Sequence, residues 1–278
     1  MEWIPDIFLP FGFVAVGQDM RGTEKSQGNF SLFMSDSEDS EDIGNWIVQQ
    51  DWSNGQIYTF GASADGIGSL QTPVHNPEWL KAQFLAWCPA NLYKILFPSG
   101  AYKQKTTEDW IHGLEMPIPE VADDDIQLIH EEENGDTERF WGSVNVGPPI
   151  YKNVRAKNAF WGGWYDLFEV ELLAAFEGYN TYSDPSVRGT SVLTVDPIGH
   201  CLEAQEFFHQ NAPYGRTLLM LGQLFDIYGI RPVKRPQIQN VTFYVMSSND
   251  EAGLSVGQYW TTAETFPKPV MTDFYFHG

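Results

Sequence analysis

The sequence predicts an α/β fold, a mostly parallel sheet with helices on both faces, and three observations predict it. Short apolar runs of strand length recur along the chain, and stretches with helical periodicity separate several of them. Strands that alternate with helices pair in parallel and need cover on both faces. The runs carry no strict apolar-polar alternation, which is the pattern of strands buried on both sides. With 278 residues, 42% of them hydrophobic and 15% aromatic, the chain is long enough to bury such a sheet in one large domain.

The elements follow in order. FVAVGQ over 13–18 predicts a buried strand that ends at Asp19 and enters the turn-rich MRGTEKSQGNF. Over 37–50, Glu38, Glu41 and Asp42 precede apolar Ile43, Trp46 and Ile47. This predicts an amphipathic helix with its anions at the favourable end of the dipole. Ser53-Asn54-Gly55 is a turn signal, a second buried strand follows over 56–60, and another over 83–87. Between about 72 and 146 the alternation gives way after Trp87 to Pro, Trp, Lys and an acidic stretch (Asp123 to Asp125, Glu131 to Glu133). That composition predicts an inserted, mostly helical segment whose acidic run is a solvated face. The alternation then resumes with a strand over 158–161, a helix over 167–179, a strand over 191–195 and a helix over 202–211. Aromatic and β-branched residues over 241–246 and 273–277 predict antiparallel strands, either an appended hairpin or the start of a β domain. The expected division is an α/β domain over 1–230 and a partial C-terminal β-sandwich segment over 236–278.

Composition narrows the function. The 37 acidic and 16 basic residues leave a net charge of −21, which repels a phosphate backbone over most of the surface and argues against nucleic acid as a partner. No apolar run approaches the roughly 18 to 20 residues of a membrane span, and the opening MEWIPDIFLPFGF lacks a basic leader region. A soluble chain, cytoplasmic by default, is the expectation. Cys88 and Cys201 are too few for a disulfide framework or a zinc motif, and both are expected to be reduced and semi-buried. No metal or organic cofactor is implied.

The chemistry concentrates at three turns. Ser63 lies in Gly61-Ala62-Ser63-Ala64-Asp65-Gly66, between a predicted strand and a predicted helix. There glycines make room for a strained turn, and the helix start offers amides, Ala64 first, to a developing oxyanion. The G-x-S-x-x-G pattern alone is weak, and Ser63 reads equally as a polar residue at a strand-helix junction. A serine nucleophile needs a base, and the base an orienting carboxylate. Asp166 follows an apolar strand and a Gly-Gly turn in AFWGGWYDLF, and His200 follows the next strand in SVLTVDPIGHCLE. The order Ser, Asp, His at successive strand ends is that of the α/β-hydrolases. Asp166 also stands where a helix cap belongs, His200 has an ordinary structural reading, and Asp196 is a rival for the acid.

Five ordered blocks then carry a likeness: QDMRGTEKSQG; DIGNWIVQQDWSNGQIYTFGASADG; GGWYDLF; DPIGH; and VTFYVM with FPKP and FYF. Together they resemble the X-Pro dipeptidyl-peptidase-like α/β-hydrolases, a family that includes cocaine esterases, α-amino acid ester hydrolases and glutaryl cephalosporin acylases. The resemblance implies Ser63 as nucleophile, Asp166 as orienting acid, His200 as general base, a helical cap over 72–146, and a jelly-roll-like domain beginning near residue 240. It further implies acyl transfer from a small-molecule or peptide ester or amide to water. Ala64 stands where the family usually has tyrosine, Asp65 replaces an apolar residue, and no residue here matches the family's upstream oxyanion tyrosine. The early strands of the hydrolase sheet have no counterpart and the β domain is incomplete, so the chain is expected to be shortened at both ends. The competing expectation is a non-catalytic remnant of the fold that serves as a binding module.

Overall fold

A computed structural model describes residues 7–113, 119–135, 139–202, 211–230, 240–246, 257–268, 270 and 272–275. Among the described residues six strands form one sheet: β1 (Ile57–Ala62), β2 (Leu80–Ala86), β3 (Lys157–Gly163), β4 (Val192–Asp196), β5 (Val241–Val245) and β6 (Tyr259–Ala263). They lie in sequence order, parallel from β1 to β5, with β6 antiparallel to β5.

Alternation of side chains across the pleat explains why both faces need cover. Phe84 and Trp161 face one side, in a cluster with Met220, Leu224 and Ile227. Leu85 and Phe160 face the other, with Leu172, Phe176 and Tyr179. Two helices flank the sheet accordingly: Asn211–Ile227 on the first face and Glu169–Tyr182 on the second. In chain order the helices are α1 (Asp36–Ile47), α2 (Ala64–Gln71), α3 (Leu92–Leu96), α4 (Gln104–His112), α5 (Pro119–Glu131), α6 (Phe140–Val144), α7 (Pro148–Tyr151), α8 (Glu169–Tyr182) and α9 (Asn211–Ile227). The segment predicted as an insertion over about 72–146 contains β2 as well as helices α3 to α6. Its helices α3 to α6 bury Leu92, Ile95, Ile111, Ile129, Phe140 and Trp141 in a third cluster.

Register decides where the strands end. Ala62 pairs with Ala86, Ala86 with Trp161, and Gly163 with Asp196. The turns after β1, β3 and β4 therefore leave the sheet at one edge, which is the position a shared site requires.

Several elements differ from expectation. Residues 13–18 form no strand, and among the described residues none of them makes a backbone hydrogen bond; an apolar run becomes a strand only where a partner edge meets it. The helix predicted over 202–211 falls largely on residues 203–210, outside the described ones, and a helix occupies Asn211–Ile227. The segment over 241–246 pairs in parallel with β4 and continues the main sheet, and its antiparallel partner is Tyr259–Ala263. Residues 272–275 form no strand, and 276–277 lie outside the description. The boundary between 230 and 236 also falls on undescribed residues. Cys88 is fully buried and Cys201 exposed, both as free thiols. No helix among the described residues is long and apolar enough to cross a membrane.

Candidate active site

Ser63 begins the turn from β1 into α2 with φ 56° and ψ −124°, in the region that side chains adopt only under constraint. Such a residue costs on the order of 1–3 kcal/mol and persists where its surroundings enforce it. Here the enforcement is visible. Ser63 N–H donates to the Ala86 carbonyl of β2, and Ile67 N–H closes the first helical turn on the Ser63 carbonyl, each at 3.0 Å. The two flanking glycines provide the clearance. A Cβ on Gly61 would stand 2.3 Å from the Asp65 carbonyl oxygen, and one on Gly66 would stand 2.5 Å from Cβ of Cys88. The glycine-serine pattern thus reflects how closely α2 approaches the ends of β1 and β2.

The turn after β3 brings in Asp166. Its N–H donates to the Gly163 carbonyl at 2.8 Å, and its Oδ1 accepts from the Phe168 amide at 2.6 Å. One carboxylate oxygen therefore makes the cap-like bond that an Asp before a helix commonly makes. The other remains for a partner. Oδ2 accepts from Nδ1 of His200 at 2.7 Å, and Nε2 of His200 lies 2.8 Å from Oγ of Ser63. With Nδ1–H committed to a carboxylate, Nε2 of the neutral ring has a lone pair for the Ser63 hydroxyl. The Asp166 side chain is wholly shielded from solvent, whereas that of His200 is 19% exposed.

His200 itself begins a short 3-10 turn just beyond β4, and the ring of Phe168 meets it edge to face with centroids 5.1 Å apart. Burial alone would lower the proton affinity of His200. The hydrogen bond to Asp166 and the charge of that carboxylate oppose it, and the pKa is raised above the ordinary histidine value. The rival acid, Asp196, has a different role: at the end of β4, fully buried, its Oδ2 accepts from the indole N–H of Trp161 at 2.9 Å.

The three predicted side chains are thus assembled into one hydrogen-bonded row. The Ala64 amide, at the start of α2, makes no hydrogen bond among the described residues and stands beside Ser63. Asp65 is exposed, bordering a groove of about 830 Å³ that Asp36, Ile43 and Tyr58 also line. Ala64 and Phe168 pack into the cluster formed by α3 to α6, so those helices border the site on one side. Two contributors escape sequence reasoning: Phe168, which packs on the imidazole, and Glu169, which bonds the Gly163 amide. An acidic residue in a first helical turn was a visible signal, but it reads as dipole complement. No cluster of three or more His, Cys, Asp or Glu side chains arranged for a metal occurs among the described residues.

Comparison with known proteins places this arrangement in a family context. A family model described as X-Pro dipeptidyl-peptidase (S15 family) matches residues 1–201. The cocaine esterase of Rhodococcus sp. (strain MB1 Bresler) is 33% identical over 233 residues, which cover 69% of this chain and 39% of that one. Among solved structures, a CocE/NonD family hydrolase from Staphylococcus aureus superposes with a TM-score of 0.64 at 18% identity, over 90% of this chain and 42% of its own. An α-amino acid ester hydrolase superposes with a TM-score of 0.67 at 16% identity, over 94% and 49%. The chain spans less than half the length of each of these relatives.

Proposed function

Because the chain belongs to the X-Pro dipeptidyl-peptidase (S15) family, we propose that it is a serine hydrolase that cleaves ester or amide bonds through an acyl-enzyme. Ser63 is the nucleophile, His200 the general base and Asp166 the carboxylate that orients it. The observation that carries this reading is the unbroken row from Ser63 Oγ through the imidazole to Asp166 Oδ2.

The steps follow from the geometry. Ser63 Oγ bonds to the substrate carbonyl carbon as Nε2 of His200 takes the hydroxyl proton, and the carbonyl oxygen becomes an oxyanion facing the Ala64 amide. Asp166 stabilises the imidazolium through its bond to Nδ1. Collapse of the intermediate breaks the bond to the leaving alcohol or amine, which takes the proton from Nε2. Water, deprotonated by the same nitrogen, then releases the acid and restores Ser63. A small ester or a peptide amide, X-Pro dipeptidyl amides included, is the substrate class the family context supports.

The test is turnover of a panel of p-nitrophenyl esters and X-Pro amides. Hydrolysis by the wild-type chain that falls by about a thousandfold or more in Ser63→Ala supports the proposal. Equal rates in the two proteins, or no turnover by folded wild type, favour the non-catalytic binding module instead.

A further inference from the structure

The turn that carries Asp166 has a brace of its own. Between Gly163, the last residue of β3, and Glu169, the first of α8, the chain reverses over five residues. Backbone bonds shape it: Asp166 N–H donates to the Gly163 carbonyl at 2.8 Å and Glu169 N–H to the Asp166 carbonyl at 3.3 Å. One side chain closes it. Oε2 of Glu169 accepts from the Gly163 amide at 2.9 Å, joining the two ends of the turn directly. The fit is tight, since a Cβ on Gly162 would stand 2.0 Å from that same oxygen.

The braced strand end also supports the other loop of the site. Trp164 N–H donates to the Asp196 carbonyl at 2.9 Å and Tyr165 N–H to the Ile198 carbonyl at 3.1 Å. A Cβ on Gly163 would stand 2.4 Å from the Ile198 carbonyl oxygen. Residues 163–165 therefore hold the segment that leads into His200 as well as the turn that carries Asp166.

We infer that Glu169 is a positioning residue: by holding the Gly163 amide from the first turn of α8, it sets the turn that presents Asp166 to His200. The inference rests on the proposed roles of those two residues. A carboxylate present only to complement the helix dipole would be solvated, as its neighbour Val170 is at 73% exposure, yet Glu169 is 7% exposed. Its Oε1 has no hydrogen-bond partner among the described residues. Charged groups face it from two elements, Asp166 from the turn and Asp196 from β4, while the backbone of Gly162 and Gly163 at the end of β3 lies against its Oε2. Burial first, and then those two carboxylates, push its carboxyl up to about 8 against the pull of the Gly163 amide. Glu169 is thus a neutral acceptor at pH 7. Its ionisation in alkali adds a third negative charge beside Asp166 and Asp196 and loosens the turn.

Two variants of the full chain separate the cases. Glu169→Gln keeps an acceptor for Gly163 and cannot ionise, while Glu169→Met fills similar space without an acceptor. The readouts are the downfield proton resonance of His200 Nδ1–H shared with Asp166, and the pH profile of p-nitrophenyl butyrate hydrolysis. Glu169→Gln is expected to keep the resonance, hold kcat within about threefold of wild type, and lose the wild-type decline above about pH 8. Glu169→Met is expected to lose or shift the resonance and to lower kcat by about tenfold or more with KM little changed. A wild-type resonance and kcat in folded Glu169→Met overturns the inference, as does Glu169→Gln that loses the resonance or keeps the alkaline decline. Should wild type turn over no ester, the hydrolase proposal fails, and the resonance of the two variants still decides whether Glu169 positions Asp166.

Discussion

The proton that Ser63 must lose has an acceptor within reach in Nε2 of His200, and the value of that acceptor depends on its charge state. Only the neutral imidazole takes the proton. Burial works against the charged ring, but the bond to the Asp166 carboxylate favours it, so the folded pKa lies above the ordinary histidine value. The sign follows: protonated His200 predominates below that pKa, and kcat/KM rises as pH increases through it. We predict an acidic limb above about pH 6.5 in the kcat/KM profile, since 6.5 is the unperturbed histidine value. Asp166→Asn removes the charge and the acceptor that fixes the tautomer, and is expected to lower kcat by roughly a thousandfold or more. A profile with its limb at or below the unperturbed value, or a fully active Asp166→Asn, contradicts these roles. That Ser63, Asp166 and His200 come together was legible because each follows an apolar run that becomes a parallel strand of one sheet. Phe168 and Glu169 were not, because their roles arise only when the turn after β3 folds back on the strand end.

At the scale of elements, the site depends on how closely α2 lies against the ends of β1 and β2. Gly66 marks that approach, because a methyl there would meet Cβ of Cys88 at 2.5 Å and its Sγ at 2.9 Å. Cys88 is fully buried, so neither partner has room to move aside. Gly66→Ala is expected to cost about 1–3 kcal/mol, the range for overpacking a tight core, read from urea unfolding. It also shifts the start of α2, and with it Ser63, so esterase activity should fall further than stability alone explains. A variant as stable and active as wild type would show that α2 is not seated as described. Strands were readable where burial on both faces gives a short apolar run, as at the end of β2, where Phe84, Leu85 and Ala86 are fully buried. The run over 13–18 has the same appearance and no partner edge among the described residues. Sequence supplies the pattern of a strand, whereas pairing depends on what lies alongside it.

For the whole molecule, one mostly parallel sheet converts three distant stretches, centred on residues 63, 166 and 200, into neighbours. The register that pairs Ala62 with Ala86 and Gly163 with Asp196 aligns the strand ends, and the helices on either face hold that register against slippage. This much of the architecture was legible from the alternation of strand and helix patterns, and family membership agrees with it. The parallel docking of β5 on β4 was not, because an apolar run of five residues carries no mark of the sheet or direction it will join. Substrate choice also escapes the sequence, since the helices after β2 meet Ala64 and Phe168 only once the chain is folded. The central claim is that this assembly makes Ser63 nucleophilic. The most direct measurement is reaction of the folded chain with a fluorophosphonate, followed by peptide mass mapping of wild type, Ser63→Ala and His200→Ala. The account predicts one adduct, on Ser63, absent from Ser63→Ala and slowed by about a hundredfold or more in His200→Ala. An unlabelled wild-type chain, or an adduct on Ser63 that forms as fast without His200, contradicts it.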